Sequence, residues 1–246
     1  MRKFHFLVQA TTFVVGVAVW ESVVSEGYVD PLFLPAPSRI LLSLVGIGPA
    51  TFTALYDTLL KTLISFSIGS VAGVAIGIVV GSRSLLHEVI HPYLFGLYSI
   101  PRMIFLPLIV LFLGIGFNST IFYAVLHTIL PVIIVVVGGV RNIDRRQVLY
   151  AISLGATSRQ IYSKVIIPAA LPSILAALRL GIIFSLLGVL IAEMYLSLSG
   201  IGFLMQRLSF AFKSADLFAV TILVALLAIV ISAVLGEISK KIEERR

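Results

Sequence analysis

His87-Glu88-Val89-Ile90-His91 has the spacing that lets one helical face offer two imidazoles to a zinc ion, with a carboxylate beside them as general base. Three features of the same sequence oppose that chemistry. Pro92 follows at once, and a residue before proline avoids helical geometry, so a helix is expected to break at His91. A catalytic zinc also needs a third protein ligand, yet His5 and His127 stand isolated and Asp144 lies beyond a whole apolar run. The stretch also falls between two apolar runs, where a solvated polar turn is expected without any catalytic role. A membrane zinc protease is therefore the displaced alternative.

Two further ionisable residues stand in apolar sequence. Glu193 interrupts the run Leu186 to Leu196, and Arg102 follows Pro101. An ionisable group in a membrane span is costly enough to suggest a function by default, so both are candidates for a solute pathway. Each also has a plain alternative: Glu193 facing the outer interface or pairing with an arginine, Arg102 reaching to the interface or to lipid phosphate. The chain holds no G-x-x-x-x-G-K-[ST] and no Gly-Lys dipeptide, so nucleotide chemistry would need another polypeptide. Nor does a Ser/His/Asp arrangement suggest itself. Cysteine is absent, which excludes thiolate nucleophiles, disulfides and Cys-bound metal centres.

The elements that must carry these residues are membrane helices. Of the 246 residues, 59% are hydrophobic and 12% charged, against about half and a quarter in soluble domains. Apolar runs fall at 4–24, 59–80, 92–113, 120–140, 174–196 and 217–238, each near the roughly 20 residues that cross a bilayer. The fold class expected is all-α, a six-span bundle forming one domain over 1–246, with both termini cytoplasmic. Charge supports that orientation. Arg2, Lys3, Arg83, Arg141, Arg145, Arg146, Arg159, Lys164, Lys240, Lys241, Arg245 and Arg246 fall inside, against Arg39, Lys61, Arg207 and Lys213 outside or at its border. The net charge of +7 thus has a topological explanation and points to no nucleic acid.

The remaining segments carry local signals. Leu34-Pro35-Ala36-Pro37-Ser38 opens a short apolar stretch to Val45, expected as a surface helix in an external loop. Gly69, Gly73, Gly77 and Gly81 share one face of the second span, a groove into which another helix can pack closely. Pro101 and Pro107 should kink the third span and place it near the bundle centre. The cytoplasmic segment 141–173 reads as two short helices. Asp144 with Gln147 and Thr157 with Gln160 have capping-box spacing, and Gly155 sits where a helix C-terminus wants positive φ. Val148, Ala151, Ile152 and Gly155 would line one small apolar face, turned to lipid or to a partner protein.

Leu149-Tyr150-Ala151-Ile152-Ser153-Leu154-Gly155, followed after nine residues by Val165-Ile166-Ile167-Pro168, resembles the E-A-A-x-x-x-G-x9-I-x-L-P signature of permease subunits of binding-protein-dependent ABC importers. Ile100-Pro101-Arg102 with Leu106-Pro107-Leu108, and Ala192-Glu193-Met194 with Ser199-Gly200-Ile201-Gly202, resemble its nitrate/sulfonate/taurine branch. The signature's opening Glu and first Ala are Leu149 and Tyr150 here. The resemblance implies a coupling helix from Asp144 to Ala156 that docks on an ATPase subunit, with Pro168 closing the motif, and Asp144, Arg145 and Arg146 are available as polar rim contacts in place of the missing Glu. It further implies a second permease copy, an extracytoplasmic binding protein, and ATP with Mg held by the ATPase rather than by this chain. The implied role is import of a small hydrophilic solute through the cytoplasmic (inner) membrane. An ion-coupled secondary transporter is the alternative from another class.

Overall fold

Residues 2–244 are described, in a computed structural model, and all regular elements among them are helical. Arg245 and Arg246, counted above among the inward charges, lie outside the described residues. The chain runs α1 (Arg2–Ser25), α2 (Pro37–Val45), α3 (Pro49–Ser82), α4 (Ser84–Ser99), a 3-10 turn at Arg102–Phe105, α5 (Leu106–Leu113), α6 (Phe117–Arg141) and α7 (Arg145–Ser153). It continues through α8 (Ser158–Ile161), a π turn at Tyr162–Ile166, α9 (Ile167–Leu196), α10 (Ile201–Phe210) and α11 (Ser214–Glu244). Five segments are long and apolar enough to cross a membrane: Leu7–Ser25, Pro49–Ser82, Phe117–Arg141, Ser158–Leu196 and Ser214–Ile242. The pair Ser84–Ser99 and Arg102–Leu113, bent by 84°, makes a sixth if it counts as one broken span.

The core is a three-helix pack of α3, α6 and α9. Small residues let these backbones approach, because lipid offers no hydrophobic drive to bring helices together and close van der Waals contact must do it. Gly69, Gly73, Gly77 and Gly81 face Thr128, Val132, Val136 and Val140 of α6 in register, and a Cβ at any of them would sit 2.7–2.8 Å from the opposing side chain. Gly181 and Gly188 of α9 receive Val132 and His127, and Gly139 of α6 lies against Ser173. Val132, fully buried, thus fills two glycine notches at once. Around this core α1 packs little, touching α11 through Trp20 and Phe218. Glu21 of α1 accepts from the N–H and hydroxyl of Ser38 (2.9 and 2.7 Å), which fixes the start of α2.

Several expectations need correction. The span expected at 92–113 is two helices that meet at Pro101. α4 starts at Ser84 and runs through Pro92, so His87 and Glu88 are helical rather than in a turn and no break occurs at His91. The carbonyl that Pro92 leaves unbonded belongs to Glu88, an exposed residue, so it need not be satisfied within the protein. Pro107 causes no kink, since it sits in the first turn of α5, where its missing N–H has no intrahelical acceptor. Nor is α4 central in this chain: Leu94 is its only buried residue. α3 begins at Pro49, ten residues before the expected start, because its first third carries Thr51, Thr53, Asp57 and Thr58 and so escapes a hydropathy reading. At 1.5 Å per residue its 34 residues extend about 51 Å, well past a 30 Å hydrocarbon layer. The helix expected from 174 begins at 158, and α10 was not anticipated at all.

Candidate functional site

At the end of the bundle where α6 finishes, the chain turns into α7. Asp144 caps it, accepting from the N–H of Arg146 at 2.9 Å and from its guanidinium at 3.0 Å. The N–H and guanidinium are on Arg146, and no Gln147 side chain closes a reciprocal box. The Arg146 guanidinium, then its backbone N–H, hold the Asp144 carboxyl below the usual carboxylate range. The C-terminus closes as a Schellman motif. Gly155, at φ +76°, donates to Ile152 O (2.9 Å) and Ala156 to Ala151 O (3.0 Å). Thr157 and Gln160 then form a complete capping box that starts α8. A short helix held at both ends is the result.

Its apolar residues divide into two sets. Val148 packs back onto the core cluster around Val140, Ile166 and Ala170. Leu149, Tyr150, Ile152 and Leu154 point outward, with Leu154 87% exposed, while Ala151 and Ala156 are half-buried and Arg145 is exposed. The outward set thus differs from the face expected from spacing: Val148 anchors, and the bulkier residues are open. Behind α7 the π turn ends at Ile167, which donates to Tyr162 O, one residue before Pro168. Widening the helix there relieves the clash of a proline ring with the preceding turn. Tyr162 also bonds Ser82 at 2.8 Å, tying the ends of α3 and α9 together.

At the opposite end Glu193 is fully buried and every oxygen is taken. Oε1 pairs with Lys61 Nζ at 3.0 Å, and Oε2 accepts from Thr58 Oγ1 (2.7 Å) and Gly202 N–H (2.9 Å). Lys61, 1% exposed, also binds Asp57 at 2.7 Å and Ser199 Oγ at 3.2 Å. Thr58 accepts from Ile201 N–H at 2.8 Å, so side chains of α3 and α9 together hold the first turn of α10. Gly200, at φ +97°, is required there, since a Cβ would overlap the Glu193 carboxylate. The partner of Glu193 is thus a lysine, neither an arginine nor the interface. Lys61 was legible as an i,i+4 pair with Asp57, but spacing alone cannot bring Glu193 to it across 132 residues. A cavity of about 580 Å³ opens beside the cluster, with Tyr56, Asp57, Ser199 and Arg207 in its wall.

Arg102 lies apart from this cluster, in the 3-10 turn between α4 and α5, over the rings of Tyr98 (5.1 Å) and Phe184 (6.0 Å). His87 and His91 do share a helix face, their ring centroids 4.5 Å apart. No group of three His, Cys, Asp or Glu that could hold a metal occurs among the described residues.

Residues 69–246 match the family described as the binding-protein-dependent transport system inner membrane component. The chain is 30% identical over 242 residues to the taurine transport system permease protein TauC of Escherichia coli (strain K12), covering 96% of this chain and 86% of that one. It is 25% identical to the formylaminopyrimidine transport permease protein ThiX of Halalkalibacterium halodurans, covering 93% and 91%. The fold is that of the inward-facing MetNI methionine ABC transporter, with TM-score 0.70 at 19% identity over 78% of this chain and 95% of that one. A glycine-notched helical bundle, a capped projecting helix that carries the signature spacing, and a match over most of the chain agree: the protein belongs to the binding-protein-dependent transport system inner membrane component family, as a membrane permease of an ABC importer.

Proposed function

We propose that the whole chain acts as one permease domain, moving a small hydrophilic solute of the sulfonate, taurine or nitrate kind into the cytoplasm. Energy comes from separate ATPase subunits, which hold the ATP and Mg, while an extracytoplasmic binding protein delivers the solute. Two permease copies enclose the pathway in the inner membrane, surrounded by lipid, with termini and α7 on the cytoplasmic side. The observation that carries this reading is α7, fixed by caps at both ends yet presenting Leu149, Tyr150, Ile152 and Leu154 to the outside. Such a patch at a water-facing surface fits a protein partner. Asp144 and Arg145 supply its rim, and Leu149 in place of the signature Glu makes the contact apolar. Taurine as the named solute of one relative supports an anionic or zwitterionic cargo.

The test is co-purification of the tagged chain from its native host in mild detergent, compared with Gly155→Asp. The wild type is expected to bring down an ATPase subunit in stoichiometric amount, and the variant to lose it while still eluting as a folded protein. Equal solute-stimulated ATP hydrolysis and uptake in both would sink the coupling role. A chain that purifies alone and transports in liposomes under an ion gradient would replace this reading with a secondary transporter.

A further inference from the structure

Of the cations within the apolar helices, Arg179 keeps a bond from Nη2 to Gly236 O at 3.4 Å, and Lys61 and Arg102 are treated oppositely. Lys61 is surrounded by Asp57, Glu193 and Ser199. Arg102 has nothing of the sort: its Nε and Nη2 are sealed from solvent without a hydrogen-bond partner, and none of the ion pairs among the described residues involves it. Leaving charged donors unmet in a low-dielectric interior is costly, so a site that keeps them calls for an acceptor that is not part of the chain. His127 Nδ1, on the neighbouring α6, is likewise buried and unpartnered, while its Nε2 meets Tyr123 OH at 3.1 Å. Tyr123 packs in one cluster with Phe105 and Leu106, the residues that lead from the Arg102 turn into α5.

Glu193 or Glu88 of a second copy does not answer the need. Phe184, over which Arg102 lies, is nine residues from Glu193 on α9, which at 1.5 Å per residue is about 14 Å of depth. Glu88 is fourteen residues back along α4, at its other end. Two copies related by an axis along the membrane normal hold these two carboxylates at the same depths, so neither of them reaches Arg102 from the second copy. Lipid phosphate stays at the interface, and the guanidinium is held between Tyr98 and Phe184 rather than extended toward it. Beside it the α9 face of Leu180, Ile183 and Leu187 is uncovered in this chain, which leaves a route of approach.

We propose that Arg102 is the binding charge for the anionic group of the passing solute, a small sulfonate, carboxylate or oxyanion, held at the break between α4 and α5 with His127 and Tyr123 beside it. This rests on the transport reading above and adds the residue that holds the negative group of the cargo. Purified wild type and Arg102→Met, which keeps most of the side-chain length, are compared by thermal unfolding with methanesulfonate or with dimethyl sulfone, its uncharged counterpart. Methanesulfonate is expected to raise the wild-type midpoint and dimethyl sulfone not, with the apparent affinity falling about tenfold or more in Arg102→Met, the scale of one charge-assisted hydrogen bond. Should the variant not fold, hydrogen exchange on the wild type takes its place, with protection by methanesulfonate expected in peptides spanning 98–105 and 120–128. Equal response to both probes, an unchanged response in the variant, or protection elsewhere overturns the proposal. A wild type that brings down no ATPase subunit, by contrast, strikes the transport reading and leaves this binding result standing or falling by itself.

Discussion

Lys61 and Glu193 show what a buried ion pair does when every atom has a partner. Removing one member leaves the other uncompensated, so Lys61→Met is expected to destabilise the fold by about 3–5 kcal/mol. The double variant Lys61→Met/Glu193→Leu should recover much of that loss, because neither charge is then stranded. Denaturation in detergent followed by circular dichroism checks both, and additive losses in the double variant would rule out coupling. Asp144 gives the second expectation at this scale. Its carboxyl is held below the usual range, so its capping contribution is present above the unfolded value of about 4 and is lost as pH falls through the lower folded value. Exchange protection of α7 amides should therefore drop as pH is lowered past 4, after correction for intrinsic rates, and Asp144→Ala should show the weak protection at every pH. Glu193 and Arg102 were visible in the sequence as charges in apolar runs. Their opposite fates were not, since whether a charge meets a partner depends on helices far away in the chain.

The contact between α3 and α6 rests on four glycines that each receive one residue of the other helix, so its cost of error is steric. Gly73→Val would place a branched side chain against Val132, and overpacking of that kind costs about 1–3 kcal/mol. Gly16→Ala, at a site with open space, is the matched control and should leave the unfolding midpoint unchanged or slightly raised. Equal effects at both sites would show that the notches do not hold the bundle. The four-residue glycine period was legible because it repeats along one face, and the Gly155 turn because positive φ selects that residue. The 84° break was not, since Pro101 and Pro107 look alike in sequence and only their places in the helices separate a break from an ordinary first turn. The polar first third of α3 and the ten residues of α10 escaped for a different reason: neither is a long apolar run, and both are held by the Thr58 and Glu193 contacts rather than by hydropathy.

Considered whole, the molecule leaves α1, α4, α11 and the Leu180 to Leu187 face of α9 open, and the proposed second permease copy would cover part of that apolar surface. Because the sequence has no cysteine, a single Leu187→Cys reports on that face without background. A covalent dimer is expected in native membranes under mild oxidation, and a persistent monomer would assign the face to lipid. The glycine-notched contact has a mechanical meaning as well. A helix seated in four successive notches cannot slide by a fraction of a turn, and α9 is clamped to the same pair through Val132, His127 and Ser173. α7 follows α6 after three residues, and the Tyr162–Ser82 bond fastens the same end of α9 to α3. If α7 is the coupling helix proposed above, a push on it would arrive at the Glu193 end without backlash, as through a solid lever, and the elements outside the clamp that are held least are α1, with its single ring contact to α11, and α4, with Leu94 as its one buried residue.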